Sequence, residues 1–80
     1  MDPQTQRPFP LAMATEDQHV RVVSLRAGHS MDRRLTEMGI NVGVDLCVVQ
    51  RQGGSLVVAR QGTRIAIGAG ISMKVMVVAF

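Results

Sequence analysis

Eighty residues with a single cysteine and no tryptophan or tyrosine allow one small domain that buries only about 60% of its unfolded surface. Lone Cys47 excludes an internal disulfide, and no run reaches the ~20 apolar residues of a membrane-spanning helix. The net charge of +3 is unevenly placed: residues 1–17 carry Arg7 against Asp2, Glu16 and Asp17, whereas residues 18–80 carry eight bases, nearly all Arg, against Asp32, Glu37 and Asp45. An Arg-rich surface of this kind attracts an acidic protein face, a nucleic acid or an anionic membrane surface, or is simply solvated.

Pro3, Pro8 and Pro10 interrupt the first ten positions, and no periodicity is present there. Residues 1–9 therefore read as a flexible N-terminal tail, and 10–80 as the folded domain. The same opening residues lack the continuous apolar segment of a signal peptide, which predicts a soluble, cytoplasmic protein. Leu11–Ala14 reads as an arm or a short helical turn covering one end of the core. From His19 the pattern alternates, first on the phase of Val20 and Val22 and then on the opposite phase through Val23 and Leu25. That change of phase predicts a bulge near Val22–Val23.

The next stretch reads as a helix. Met31, Leu35 and Met38 recur at i, i+4 and i+7. Ser30 is the expected N-cap, and Asp32 suits the positive end of the helix dipole. Gly39 is placed to close the helix in a Schellman motif, with Ile40 against Leu35. Asn41-Val42-Gly43 follows as a turn.

Asp45–Arg51 reads as a strand with Leu46 and Val48 on one face. Gln52-Gly53-Gly54-Ser55 is a hairpin connection, and the β-branched run to Arg60 is its returning strand. Gln61-Gly62-Thr63 is a second tight turn, after which Ile65 and Ile67 alternate inward. The glycines at 68 and 70 permit no more than one helical turn, and Lys74–Phe80 reads as a closing strand. The expected fold is therefore mainly β: a small, SH3-like, partly open barrel of about five short strands, with one short helix after the first strand.

No catalytic constellation is visible. The serines have no spaced His and acid, and Gly68-Ala69-Gly70 lacks the Lys-Ser/Thr of a phosphate-binding loop. His19, His29 and Cys47 do not cluster at metal-ligand spacing, so neither a metal site nor a cofactor is expected, and a weak metal-sensing role for these three stays as an alternative. A nucleic-acid-binding barrel is a second alternative, supported by charge but lacking the aromatic platforms on which bases stack. Met31, Met38, Met73 and Met76 read as core filling, with an adaptable binding surface as the other option.

The string Arg34-Leu35-Thr36-Glu37-Met38-Gly39-Ile40-Asn41-Val42-Gly43 resembles the helix-turn motif R-L-x-E-x-G-[LIM]-x-P-G of the FeoA family (ferrous iron transport protein A). Gly53–Ala59, Arg64–Gly68 and Lys74–Val77 resemble the later strands of that domain, so the likeness covers about residues 19–78. Val42 departs from the family's usual proline, and Gly70–Met73 from a more regular helical turn. The resemblance implies a non-enzymatic accessory protein of bacterial ferrous iron uptake, docking on and modulating a FeoB-type GTP-binding permease. On this reading Leu35, Met38 and Ile40 pack the helix on the barrel, and Gly39, Gly43 and Gly62 meet backbone requirements. Arg33 and Arg34, with Arg51, Arg60 and Arg64 on or near adjoining strands, are the candidate partner contacts. A homo-oligomer paired through an edge strand is also open.

Overall fold

In the computed structural model, which describes residues 7–80, six strands form one antiparallel sheet. They are β1 (Phe9–Pro10), β2 (His19–Leu25), β3 (Asp45–Gln52), β4 (Ser55–Arg60), β5 (Thr63–Ile67) and β6 (Val75–Ala79). Their spatial order is β1-β6-β2-β3-β4-β5. Two short helices interrupt them: α1 (His29–Glu37) after β2, and α2 (Ala69–Ser72), a single turn, before β6. The expected strand count of five thus becomes six, and the helix follows the second strand, not the first. The extra strand is two residues long and contains a proline. It carries no alternation to read and exists only because Phe9 and Pro10 pair with Val77 and Met76. Most of the expected tail, residues 1–6, lies outside the described residues.

The sheet curls without closing, since β1 and β5 are not paired with each other. Its inner face is filled by alternate residues of five strands: Val20 and Val22, Leu46 and Val48, Leu56 and Val58, Ile65 and Ile67, Val75 and Val77, all buried. Two register shifts help it curl, one between Val22 and Ser24, where the change of phase predicts it, and one between Val48 and Gln50. An extra residue bends a strand and raises its twist. Leu11 and Ala14, in and just after the 3-10 turn Leu11–Met13, are fully buried in the same core. The Arg51 side chain fastens this arm, donating to the Ala14 carbonyl (3.3 Å), while the Arg51 main-chain N–H donates to Glu16 Oε2 (3.0 Å).

Helix α1 begins two residues earlier than the sequence suggests. Gly28 is its N-cap, at φ +99°, a conformation open mainly to glycine, and Ser30 lies inside the first turn. Asp32 makes the early start workable by accepting a hydrogen bond on Oδ1 from the Ala27 N–H (2.9 Å), just before the helix. The C-terminal end is a Schellman close as expected. Ile40 N–H donates to the Leu35 carbonyl (2.8 Å) and Gly39 N–H to that of Thr36 (3.0 Å), with Gly39 at φ +95°. Leu35 and Ile40 are buried in the core. Met38 departs from the packing role expected of it: it is 47% exposed.

Helix α2 is held to the β3–β4 hairpin. The buried Ser72 hydroxyl donates to the Gly54 carbonyl at 2.6 Å, with the Ala69 carbonyl 3.0 Å away. A Cβ on Gly54 would lie 3.0 Å from that of Ala69, so the close approach needs glycine at this position.

Candidate functional site

The register of β2 on β3 decides which polar side chains meet. Val48 N–H donates to the Gln18 carbonyl and Val22 N–H to that of Val44. The hydrogen-bonded pairs are therefore the even-numbered ones, and Arg21↔Asp45 and His19↔Cys47 fall at the non-hydrogen-bonded positions, where facing side chains are closest. Arg21 Nε accordingly donates to Asp45 Oδ1 at 2.7 Å, and the Arg21 guanidinium also lies 4.8 Å from the centroid of the Phe80 ring. His19 meets the same ring edge-on, with centroids 6.1 Å apart. Beside this group runs an open groove of about 560 Å³, bordered by His19, Asp45, Cys47, Arg60 and Gln61.

The hydrogen bond from Arg21 above all holds the Asp45 carboxyl below its ordinary value, and the same contact raises Arg21. Because the folded carboxyl value is depressed, the pair's contribution to stability is present above the ordinary range near about pH 4 and is lost as the pH falls through the depressed value. Both groups are well exposed, so the contribution is small and screened by salt. Urea denaturation of the parent and Asp45→Asn proteins should show a gap near neutral pH that narrows in acid and in high salt. A gap independent of pH would contradict this assignment.

The expected partner contacts are not gathered in one place. Arg33 and Arg34 are exposed on α1 and Arg64 on β5, and none makes a salt bridge among the described residues. Arg60 is half-buried and folds over Gly39, where an added Cβ would lie 3.4 Å from one guanidinium nitrogen. Arg51 is committed to the N-terminal arm, and its Nε also donates to the Gly53 carbonyl (3.3 Å). Gly43 and Gly62 adopt φ values of +93° and +85°, as their assignment to turns requires.

Of the three side chains weighed as metal ligands, His19 and Cys47 become cross-strand neighbours while His29 opens α1. No group of three or more His, Cys, Asp or Glu side chains suited to a metal ion occurs among the described residues. The cluster of Arg21, Asp45, His19 and Phe80 escapes sequence reading, because it depends on strand register. The only signal available was the shared alternate phase of His19 with Arg21 and of Asp45 with Cys47.

The profile of the FeoA domain matches residues 9–79. The chain belongs to the FeoA family. A candidate Fe(2+) transport protein A of Methanocaldococcus jannaschii is 44% identical over 69 residues, covering 86% of this chain and 84% of that protein. The crystal structure of an iron uptake regulatory protein, FeoA, superimposes with a TM-score of 0.82 at 28% identity, over 92% of this chain and 99% of that one. The fold alone is shared with Chlorobium tepidum FeoA (TM-score 0.83, 20% identity, 90% of this chain and 70% of that one). It is shared too with a manganese-dependent transcriptional repressor (TM-score 0.84, 20% identity), where the match spans 94% of this chain and 43% of the repressor. Membership in the FeoA family confirms the resemblance carried by the α1 motif and the later strands.

Proposed function

We propose that this FeoA-family protein is a cytoplasmic, non-enzymatic accessory of ferrous iron uptake that docks on the cytosolic part of a FeoB-type GTP-binding permease and modulates it. The observation that carries this reading is a family match over 9–79 joined to a basic surface on which Arg33, Arg34 and Arg64 form no salt bridge among the described residues. Free arginines on a rigid scaffold suit recognition of carboxylates on a protein partner. No helix of the described chain is long and apolar enough to cross a membrane, which is consistent with a partner carrying the transport step.

The test reverses charge where it touches no packing. Arg33 and Arg34 are exposed on α1 and Leu35 beside them is buried. The double variant Arg33→Glu, Arg34→Glu should therefore fold with nearly unchanged thermal stability. It should weaken binding to the permease's cytosolic part about tenfold or more, and permease-dependent iron uptake should fall with it. Uptake and binding at the parent level in a folded double variant would remove these residues from the interface.

A further inference from the structure

The strand β5 is one edge of the sheet and pairs with β4 alone. Its connection from β4 is a two-residue turn with Gln61 at φ +49° and Gly62 at +85°, a type I′ geometry that closes on a hydrogen-bonded Arg60–Thr63 pair. By the alternation of an antiparallel ladder, Ile65 and Ile67 also direct their main-chain groups to β4, whereas Arg64 and Ala66 direct theirs away from the sheet. No hydrogen bond to that outer edge is formed among the described residues. The edge carries neither a proline nor a bulge, two common protections against pairing.

Directly beside it lies a small apolar crevice of about 80 Å³, walled by Met31, Leu35 and Met38 of α1, Ala66 and Ile67 of β5, and Ile71 of α2. It has room for one aliphatic side chain. Its rim is basic. Arg64 precedes Ala66 by two positions, on the same face of β5, and Arg34 is the i−4 neighbour of Met38 on α1. Glu37, the i+3 neighbour of Arg34, is the nearest acid on that helix. Residues 46–80 contain Arg51, Arg60, Arg64 and Lys74 and no acidic residue at all.

We propose that the β5 edge and its adjoining crevice form a docking site for an extended, acidic segment of a partner protein. The segment adds as a further strand, seats one aliphatic side chain between α1 and α2, and places carboxylates against Arg64 and Arg34. Main-chain pairing supplies the affinity, and the crevice and the arginines supply the selectivity. The proposal deepens the permease reading and rests on it for the partner's identity, but the site itself can be tested without the permease.

The probe is a synthetic peptide of alternating acidic and aliphatic residues, Glu-Leu-Asp-Val-Glu-Ile-Asp, added to the full chain. The expected result is slowed hydrogen exchange at the Arg64 and Ala66 amides. Ala66→Pro removes the outward N–H without touching the ladder to β4 and should weaken peptide binding about tenfold. Arg64→Glu, which alters no backbone group, should do the same and serves if the proline variant fails to fold. Absence of protection at Arg64 and Ala66, or equal peptide affinity in the parent and Arg64→Glu proteins, would overturn the proposal. So would protection of these amides that rises with protein concentration alone, which would assign the edge to a second copy of this chain. If the peptide binds at the edge and the cytosolic part of the permease does not displace it, the site stands and the permease reading fails.

Discussion

Leu35→Ala should lower the unfolding free energy by about 3 kcal/mol, within the roughly 2–5 kcal/mol range for a buried leucine truncated to alanine. Leu35 is 2% exposed and is the buried residue through which α1 enters the core. Its carbonyl also accepts the Ile40 N–H that closes the helix. Truncation removes apolar contacts and leaves a cavity under a helix of nine residues, too short to persist in water without tertiary packing. At about 0.05–0.15 kcal/mol per residue, the whole domain is stable by only about 4–12 kcal/mol, so the loss is a large share of the total. Urea denaturation with Leu35→Met as a volume-conserving control checks it. The control should cost less than about 1.5 kcal/mol. A loss below about 1 kcal/mol for Leu35→Ala would mean that α1 contributes little to the core.

The second large effect is expected at Ser72→Ala, at about 2 kcal/mol. The substitution adds no volume and removes a fully buried donor. The half-buried Gly54 carbonyl, which accepts from Ser72 Oγ at 2.6 Å, is then left without this partner, and an acceptor unsatisfied away from water costs about 1–3 kcal/mol. The damage should be local as well as global. Ser72 is the link between α2 and the β3–β4 turn, so hydrogen exchange should accelerate first in α2 and around Gly53–Ser55. Uniform acceleration across the sheet would show that the hydroxyl has no special hold on the hairpin.

Much of the fold was legible because period and punctuation agree. Ile65 and Ile67 alternate, Gly39 falls where a Schellman close needs it, and the phase change at Val22–Val23 marks a real register shift. What escaped depends on contacts between residues distant in sequence. Phe9–Pro10 is a strand only through its pairing with Val77 and Met76. Ser72 is a buried hydroxyl whose acceptor, Gly54, lies eighteen positions away. Ser30 lost the capping position because Asp32 reaches back to the Ala27 N–H, a competition that propensity cannot rank. For the candidate site, sequence identified the arginines but not their engagements. Arg51 is occupied by the N-terminal arm and Arg60 by Gly39, whereas Arg33, Arg34 and Arg64 make no salt bridge among the described residues.

The position of β6 bears on how the chain is made. It follows every other strand in the sequence, yet it lies between β1 and β2. Until it leaves the ribosome, β1 has no neighbour at all and β2 is paired on one side only. The β3–β4–β5 meander, linked by two tight turns, can assemble as soon as it emerges, because its contacts are local and loop closure is inexpensive. The arm carrying Leu11 must wait. Vectorial synthesis therefore meets this domain with its β1–β6–β2 seam last, and the nascent chain carries an exposed apolar face for the interval.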